Sequence, residues 1–525
     1  MNSHDYIIVG AGSAGCVLAR RLTEDPSVRV LLLEAGGPDR RREIHIPAAF
    51  SKLFKSECDW NYSTTSQPGL DGRELFWPRG KVLGGSSSIN AMMYVRGHRS
   101  DYDRWRDGGN VGWGFDDVLP LFKRSEHQER GASEFHATGG PLNVADVRTL
   151  NPLSRAFVES AAERGLAWTT DFNGSHQDGV GYYQVTQRKG RRHSAAAAFL
   201  TPVLVRSNLT VETGALAHRV VIEDGRAVGV EYSRDGHVHL AHASREVILS
   251  GGAVNSPQLL MLSGVGPADH LREHGIPVVV DSPDVGENLQ DHLLVIVAYR
   301  CRKPVSLASA ESLPNVLRYL VFRSGALTSN VAEAGGFLRT SDELEVPDIQ
   351  FLFGPAYYLN HGFTKVEGHG FSVGPVLLRP QSRGRIRLGS SDPAAPPIID
   401  PAYFSEARDL EVLVEGVKRC RDMVTGRALD PFRGDEHTPG ADVRSDADIA
   451  AFVRRSAETL YHPVGTCRMG PDARSVVDHD LRVCGVDGLR VVDASIMPDI
   501  VGGNTNAPTI MIGEKGADLI RGERV

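Results

Sequence analysis

The chain has 525 residues and a formal net charge of −7. That length exceeds what one hydrophobic core serves, and the charge lacks the basic excess that a nucleic-acid partner demands. No apolar run reaches the roughly eighteen residues of a membrane-spanning helix, which leaves no integral membrane segment in the reading.

The opening of the chain is the most regular part. Residues 6–9 are a short β-branched apolar run, residues 13–24 place Ala14, Val17, Leu18 and Leu22 on one helical face, and residues 28–33 are a second apolar run. This strand–helix–strand unit predicts an α/β fold with a doubly wound parallel sheet. Residues 194–198 read as a helix start with Ser194 as N-cap. Strands are predicted over 208–221 and 227–232 around the turn at 223–225, and again over 246–250. A helix follows over 256–262, with Pro257 near its start. Strand-like runs at 349–353, 372–378 and 385–388 predict a separate antiparallel or mixed sheet, followed by helices over 408–424 and 446–457 and a last buried strand over 489–492.

The first chemical signal is Gly10-Ala-Gly12-Ser13-Ala14-Gly15, placed between the first strand and the first helix. Gly10 permits a tight turn, Gly12 lets the backbone approach a pyrophosphate, and Gly15 lets helix and strand pack closely. The helix N-terminus then offers free N–H groups to phosphates. Glu34 ends the second strand, where a ribose-binding acid belongs. The unit predicts dinucleotide binding and by itself does not choose between NAD and FAD.

Two further segments make that choice. A glycine and serine loop runs over 80–90 and ends in Ile89 and Asn90, and a strand exit at 252–257 leads through Leu259 and Leu260 to Ser263-Gly264-Val265-Gly266. With the nucleotide motif and a C-terminal stretch, they resemble the glucose–methanol–choline family of flavin oxidoreductases, in its alcohol dehydrogenase and choline dehydrogenase-like branch, over roughly residues 5–520. The resemblance implies a discontinuous FAD-binding domain (1–150, 195–300 and 456–525) and a substrate domain (151–194 and 301–455). It places Val82, Gly85, Asn90 and Ala91 along the isoalloxazine, Val220 by the adenine, and Asp493 and Ala494 near the ribityl and pyrophosphate. Some members tether FAD through a histidine in the loop. Ile89 stands at that position and cannot form the bond, so non-covalent FAD is expected.

One histidine among nineteen is ordinarily structural. The resemblance singles out His462, which falls on the family's catalytic histidine, and Asn506, which falls on its second catalytic group. The chemistry accounts for the pair. Hydride leaves a carbinol carbon when its O–H proton is removed, so a neutral imidazole serves as base, an amide N–H steadies the developing oxyanion, and the flavin N5 takes the hydride. No metal-ligand spacing occurs, and none is needed.

The substrate is read from an absence. Choline-specific members carry a glutamate two residues after the histidine of an Asn-Leu-Gln-Asp-His segment. Here that segment is 288–292, and Leu294 stands in the glutamate's place. With Tyr461, Leu378, Phe353 and Phe337 as expected pocket residues, a neutral primary alcohol is favoured over choline, although any one of these aromatics taken alone is better read as core. A hydroxynitrile lyase or a light-driven fatty-acid decarboxylase are the family's other activities. His462 and the apolar Leu378 disfavour the decarboxylase. No motif separates oxygen from a quinone-like compound as electron acceptor. Six scattered cysteines read as reduced thiols, and residues 1–5 lack a leader-like pattern, so a cytoplasmic location is expected, with peripheral membrane association left open.

Overall fold

The computed structural model describes residues 4–523, which leaves the first three residues of the polar N-terminal segment outside it. The buried runs of the opening unit form strands His4–Val9 and Val30–Glu34 on either side of helix Ser13–Leu22. The two strands pair in parallel, Ile8 opposite Leu32, and strand Leu209–Thr213 extends the sheet beyond Val30–Glu34. On its other side the first strand meets the end of strand His237–Leu249, Ile8 opposite Ile248, and Leu489–Val491 completes the parallel layer. The sequence reading takes in only the buried end of His237–Leu249, because the first half alternates histidine with apolar residues and is largely solvent-exposed, so it carries no buried apolar run. That half pairs antiparallel with Arg226–Arg234, which pairs in turn with Leu216–Glu223. The single strand expected over 208–221 is therefore two, broken at Gly214, and the two lie at opposite ends of the sheet.

Helix Gly252–Leu262 begins one turn earlier than its proline implies, so Pro257 lies inside it. A proline there leaves the carbonyl four residues back without its N–H. That carbonyl belongs to Ala253, and the Thr466 hydroxyl donates to it at 2.7 Å. The repair ties the helix to the segment that carries His462. Ser194 behaves as expected of a cap, its Oγ accepting from the Ala197 N–H at 3.2 Å, although the turn it opens is a short π-helix over Ala196–Leu200.

The second sheet is antiparallel, in the order Arg433–Thr438, Val297–Cys301, Gly370–Leu377, Ile349–Gly354, Ala334–Leu338, Gly179–Tyr182, with Leu293–Leu294 and Glu458–Thr459 joined to it. The boundary expected after residue 300 falls inside a strand of this sheet, and residues 385–388 leave it to pair with Ile398–Asp400. Helices Pro152–Glu163 and Ala407–Met423 cover one face. Phe157 stacks on Phe353 at 4.4 Å, and a Cβ on Gly416 would stand 2.5 Å from Pro375, so the helices lie hard against the strands. The other face looks toward the parallel sheet, and the site lies between them.

Candidate active site

A cavity of about 300 Å³ runs from the glycine turn of the parallel sheet to the free face of the antiparallel one. At its first end stand Gly10, Gly12, Ser13, Ala14 and Glu34. Gly10 holds φ +100°, and a Cβ on Gly15 would meet the Gly10 carbonyl at 1.9 Å, so strand and helix touch there only because both residues are glycine. A Cβ on Gly12 would meet nothing closer than the Ser250 carbonyl at 3.8 Å and would fill the cavity instead. The helix behind it has no side-chain cap and no acid in its first turn, which leaves its N–H groups for an anion. Glu34 accepts from the N–H groups of Ala11 (2.9 Å) and Gly36 (2.8 Å), with lone pairs left toward the cavity. Burial pushes its carboxyl up to about 7, against those two donors and Lys81. The open floor, the uncapped helix and an acceptor for ribose hydroxyls fit an adenine dinucleotide.

Gly85, Asn90, Ala91, Asp493 and Ala494 also line the cavity, and so does Ile89. The Asn90 carbonyl is taken by the Met92 N–H and by Arg192, which turns the amide NH₂ outward. The Asp493 carboxylate is saturated: it accepts from Gly252 N–H, Ser256 Oγ, and Ser495 N–H and Oγ at 2.6–2.8 Å. Its task is to hold the turn into helix Gly252–Leu262. Val82 and Val220 are not on the wall. Val82 packs with Phe50, Phe54 and Ile89, and Val220 donates its N–H to Ser263 Oγ while Ala215, Leu216 and Ala217 provide the wall.

At the far end the wall is apolar: Met93, Leu294, Ile296, Val331, Leu352 and Leu460, with Phe50, Phe54, Tyr358 and Tyr461. Tyr461 hydrogen-bonds Tyr358 and His361 through its hydroxyl. Three expected pocket residues are elsewhere. Phe353 points from its strand to the helical layer, and its neighbours Leu352 and Gly354 face the cavity. Side chains alternate along a strand, and this strand is buried on both faces with bulky apolar residues on each, so its pattern does not say which set looks inward. Phe337 packs under Phe172, and Leu378 lies one layer behind Leu294.

His462 lines the cavity in a tightly held turn. Tyr461 adopts φ +69°, a strained conformation for a residue with a Cβ. It is kept there by Thr459 Oγ1 on its N–H (2.8 Å), by Arg79 on its carbonyl (2.6 Å) and by the buried Asp291, which accepts the His462 N–H (2.8 Å). His462 Nδ1 lies 3.0 Å from Nδ1 of His292, whose Nε2 lies 3.1 Å from the Leu378 carbonyl. A carbonyl only accepts, so His292 Nε2 carries a proton. Burial lowers His292 to about 3, so it is neutral and its Nδ1 is an acceptor. His462 Nδ1 must then be the donor, which leaves His462 Nε2 as a bare lone pair. Burial, and secondarily His292 and Arg79, also hold His462 well below the ordinary imidazole range.

Nε2 of His462 faces Nδ2 of Asn504 at 3.3 Å, and the Asn504 carbonyl accepts from Gln350. Asn506 is on the same wall at the start of helix Asn506–Arg521, its carbonyl accepting from the Ser13 hydroxyl at 2.7 Å. The residue beside the histidine is thus Asn504, two positions before the one the sequence pattern singles out. Sequence reasoning passes over Asp291, His292 and Asn504 as partners of His462, because no local spacing pairs residues so far apart in the chain with it.

Comparison with known proteins places this arrangement. The chain matches the GMC oxidoreductase family over residues 4–294 and 380–513. It is 50% identical to the alcohol dehydrogenase [acceptor] of Pseudomonas putida, covering 98% of this chain and 95% of that one. It is 49% identical to the mitochondrial choline dehydrogenase of Homo sapiens, covering 99% and 90%. Among solved structures, pyridoxine 4-oxidase from Mesorbium loti superimposes with a TM-score of 0.90 at 37% identity, covering 98% of each chain.

Proposed function

This chain belongs to the GMC oxidoreductase family, an FAD-dependent enzyme acting on CH–OH donors, and on that premise we propose that it oxidises a neutral primary alcohol with His462 as the base. The observation that carries the proposal is the hydrogen-bond chain from the Leu378 carbonyl through His292 to His462, which leaves Nε2 unprotonated at the cavity wall. FAD, when bound, supplies the hydride acceptor. Gly10, Gly12, Ser13 and Glu34 would hold its adenosine and phosphate end, and Gly85, Asn90 and Ala91 its ring end, with Ile89 unable to bond to it covalently.

The chain's own contribution is to the proton. His462 Nε2 accepts the alcohol O–H proton as hydride departs. The positive charge that develops on the ring is met at Nδ1 by the His292 lone pair, a charge-assisted hydrogen bond stronger than the neutral one it replaces. The Nδ2 groups of Asn504 and Asn506 supply neutral N–H donors to the developing oxyanion. Apolar walls at this end exclude water and strengthen each of these interactions. A trimethylammonium substrate would find no carboxylate among Met93, Leu294, Ile296, Leu352 and Leu460, only the rings of Tyr358 and Tyr461. The alcohol is therefore uncharged. The electrons pass on to an acceptor of the oxygen or quinone class.

The test is anaerobic mixing of the FAD-loaded enzyme with a panel of neutral alcohols and choline, in the dark, while flavin absorbance is followed. Neutral primary alcohols should bleach the flavin with the higher kcat/KM, and His462→Ala should slow bleaching by about 100- to 10,000-fold with FAD retained. Choline outperforming every neutral alcohol overturns the substrate class. A parental rate in His462→Ala overturns the base.

A further inference from the structure

Helix Leu313–Phe322 is built the wrong way round for a soluble surface. Amphipathic helices bury their apolar face, but here Leu313, Leu317, Leu320, Val321 and Phe322 are 52–71% exposed, and Tyr319 is the one fully buried side chain. Leu313, Leu317, Leu320 and Val321 follow the i, i+4, i+7, i+8 spacing, which puts them on one stripe roughly 100° wide facing away from Tyr319. Four such residues on one exposed face form a patch of the kind that marks an interaction surface.

The surroundings of the stripe decide what it meets. The hairpin tip at 188–191 abuts the helix C-terminus: a Cβ on Gly190 would stand 2.3 Å from the Arg323 carbonyl and 3.2 Å from the Arg148 side chain. Arg148, Arg188, Lys189, Arg191, Arg318 and Arg323 thus gather beside the apolar stripe. Arg318 is engaged by Ser324 and Arg323 by the Tyr319 ring, and none of the six forms an ion pair with a carboxylate among the described residues. Glu311, at the opposite end of the helix, is taken by Lys52 at 2.5 Å. This is a cationic rim on a chain whose net charge is −7. On its inner side the helix packs, with Ala310 and Leu327, on Ile46 and Ala48 of the segment that carries the cavity residue Phe50.

We propose that helix Leu313–Phe322 docks this enzyme onto the surface of an anionic lipid bilayer, with the aliphatic stripe in the acyl boundary and the six cations at the phosphates. A short, aliphatic, unnotched stripe beside unpaired cations is the composition of an interfacial helix; a protein groove would call for specific polar contacts around the stripe. No helix among the described residues is long and apolar enough to cross a membrane, so the enzyme lies on the bilayer and does not span it. Docking here sets the wall around Phe50 one layer from the lipid.

The experiment is co-sedimentation of the FAD-loaded, full-length enzyme with vesicles of phosphatidylglycerol and phosphatidylcholine in equal parts, against vesicles of phosphatidylcholine alone. The parent should sediment with the anionic vesicles and be released by salt. Leu317→Gln combined with Val321→Gln should reduce the bound fraction at least about tenfold. Lys189→Gln and Arg191→Gln should each weaken binding by about fivefold, the value of one cation near an anionic surface. All four positions are exposed and outside the cavity, so flavin reduction by a water-soluble alcohol should be unchanged. A parent that stays in the supernatant with anionic vesicles at low salt overturns the proposal. So does a Leu317→Gln, Val321→Gln variant that sediments like the parent, or one whose only change is the loss of self-association in light scattering.

Discussion

Replacing His292 by leucine isolates the part of the mechanism that only geometry reveals. His292 does not line the cavity and touches no reacting atom; its Nδ1 accepts from His462 Nδ1 at 3.0 Å. In the resting enzyme that bond is between neutral groups, worth ~0.5–1.5 kcal/mol, and once His462 has taken the proton it becomes a bond from a cation, worth ~1.5–3 kcal/mol. The gain on protonation, about 1–1.5 kcal/mol, is lost in His292→Leu and corresponds to roughly tenfold in rate. The variant also leaves the His462 Nδ1–H buried without an acceptor, at a cost of ~1–3 kcal/mol, which drives the ring toward the tautomer whose Nε2 is already protonated. Together these predict a slowing of flavin reduction by about thirtyfold to two-thousandfold, with KM unchanged because the alcohol pocket is intact. His292→Asn places an amide oxygen near the Nδ1 position and should recover most of the rate. The assay is anaerobic stopped-flow reduction by a good alcohol in parent, His292→Leu and His292→Asn, each FAD-loaded. Parental kcat in His292→Leu would refute the tautomer argument, as would equal losses in the Leu and Asn variants.

Other consequences are as direct. Because burial holds His462 well below the ordinary imidazole value, the base form persists on acidification, and flavin reduction should stay level as pH falls through about 6.5, where a solvent-exposed histidine would already be half protonated; a half-maximal rate at that pH contradicts the assignment. Asn504→Ala should slow reduction by about tenfold through its contact with His462 Nε2, and Asn506→Ala should cost at or below the low end of ~2.7–4 kcal/mol, both with FAD bound; two parental rates would leave the oxyanion without either donor. Glu34 is ionised above about 7 and protonated below it in the free protein. Its ionised form is the better acceptor for ribose hydroxyls, so FAD affinity should fall as pH drops through that value, and Glu34→Gln should bind more weakly and lose the dependence, as read by FAD fluorescence on titration. Acid precipitation should release all flavin to the supernatant, since Ile89 offers no tether; flavin in the pellet would show a covalent bond.

The residues expected to bind by their order along the chain are legible in the sequence alone. The glycine turn, its helix and Glu34 lie within one strand–helix–strand unit, and local sterics make that unit fold alike wherever it occurs, so Gly10, Gly12 and Glu34 stand on the cavity wall as expected. Ile89 and Asn90 were legible only through the resemblance of their glycine and serine loop to the family's. What the sequence could not settle is which face of a doubly buried strand looks inward and which distant segments meet. Leu352, not Phe353, faces the cavity because the strand's parity is set by the helices packed behind it. The first half of His237–Leu249 extends the strand because Arg226–Arg234 pairs with it, although most of that half faces solvent. His292 lies 170 residues from His462 and is brought to 3.0 Å by the antiparallel pairing of Leu293–Leu294 with Glu458–Thr459. Residue identity determined the glycine turn, the acid that follows it and the presence of His462 in its segment. Long-range pairing decided which ring nitrogen of His462 is left without a proton, because a tautomer is fixed by a hydrogen-bond partner and that partner arrives only with the tertiary fold.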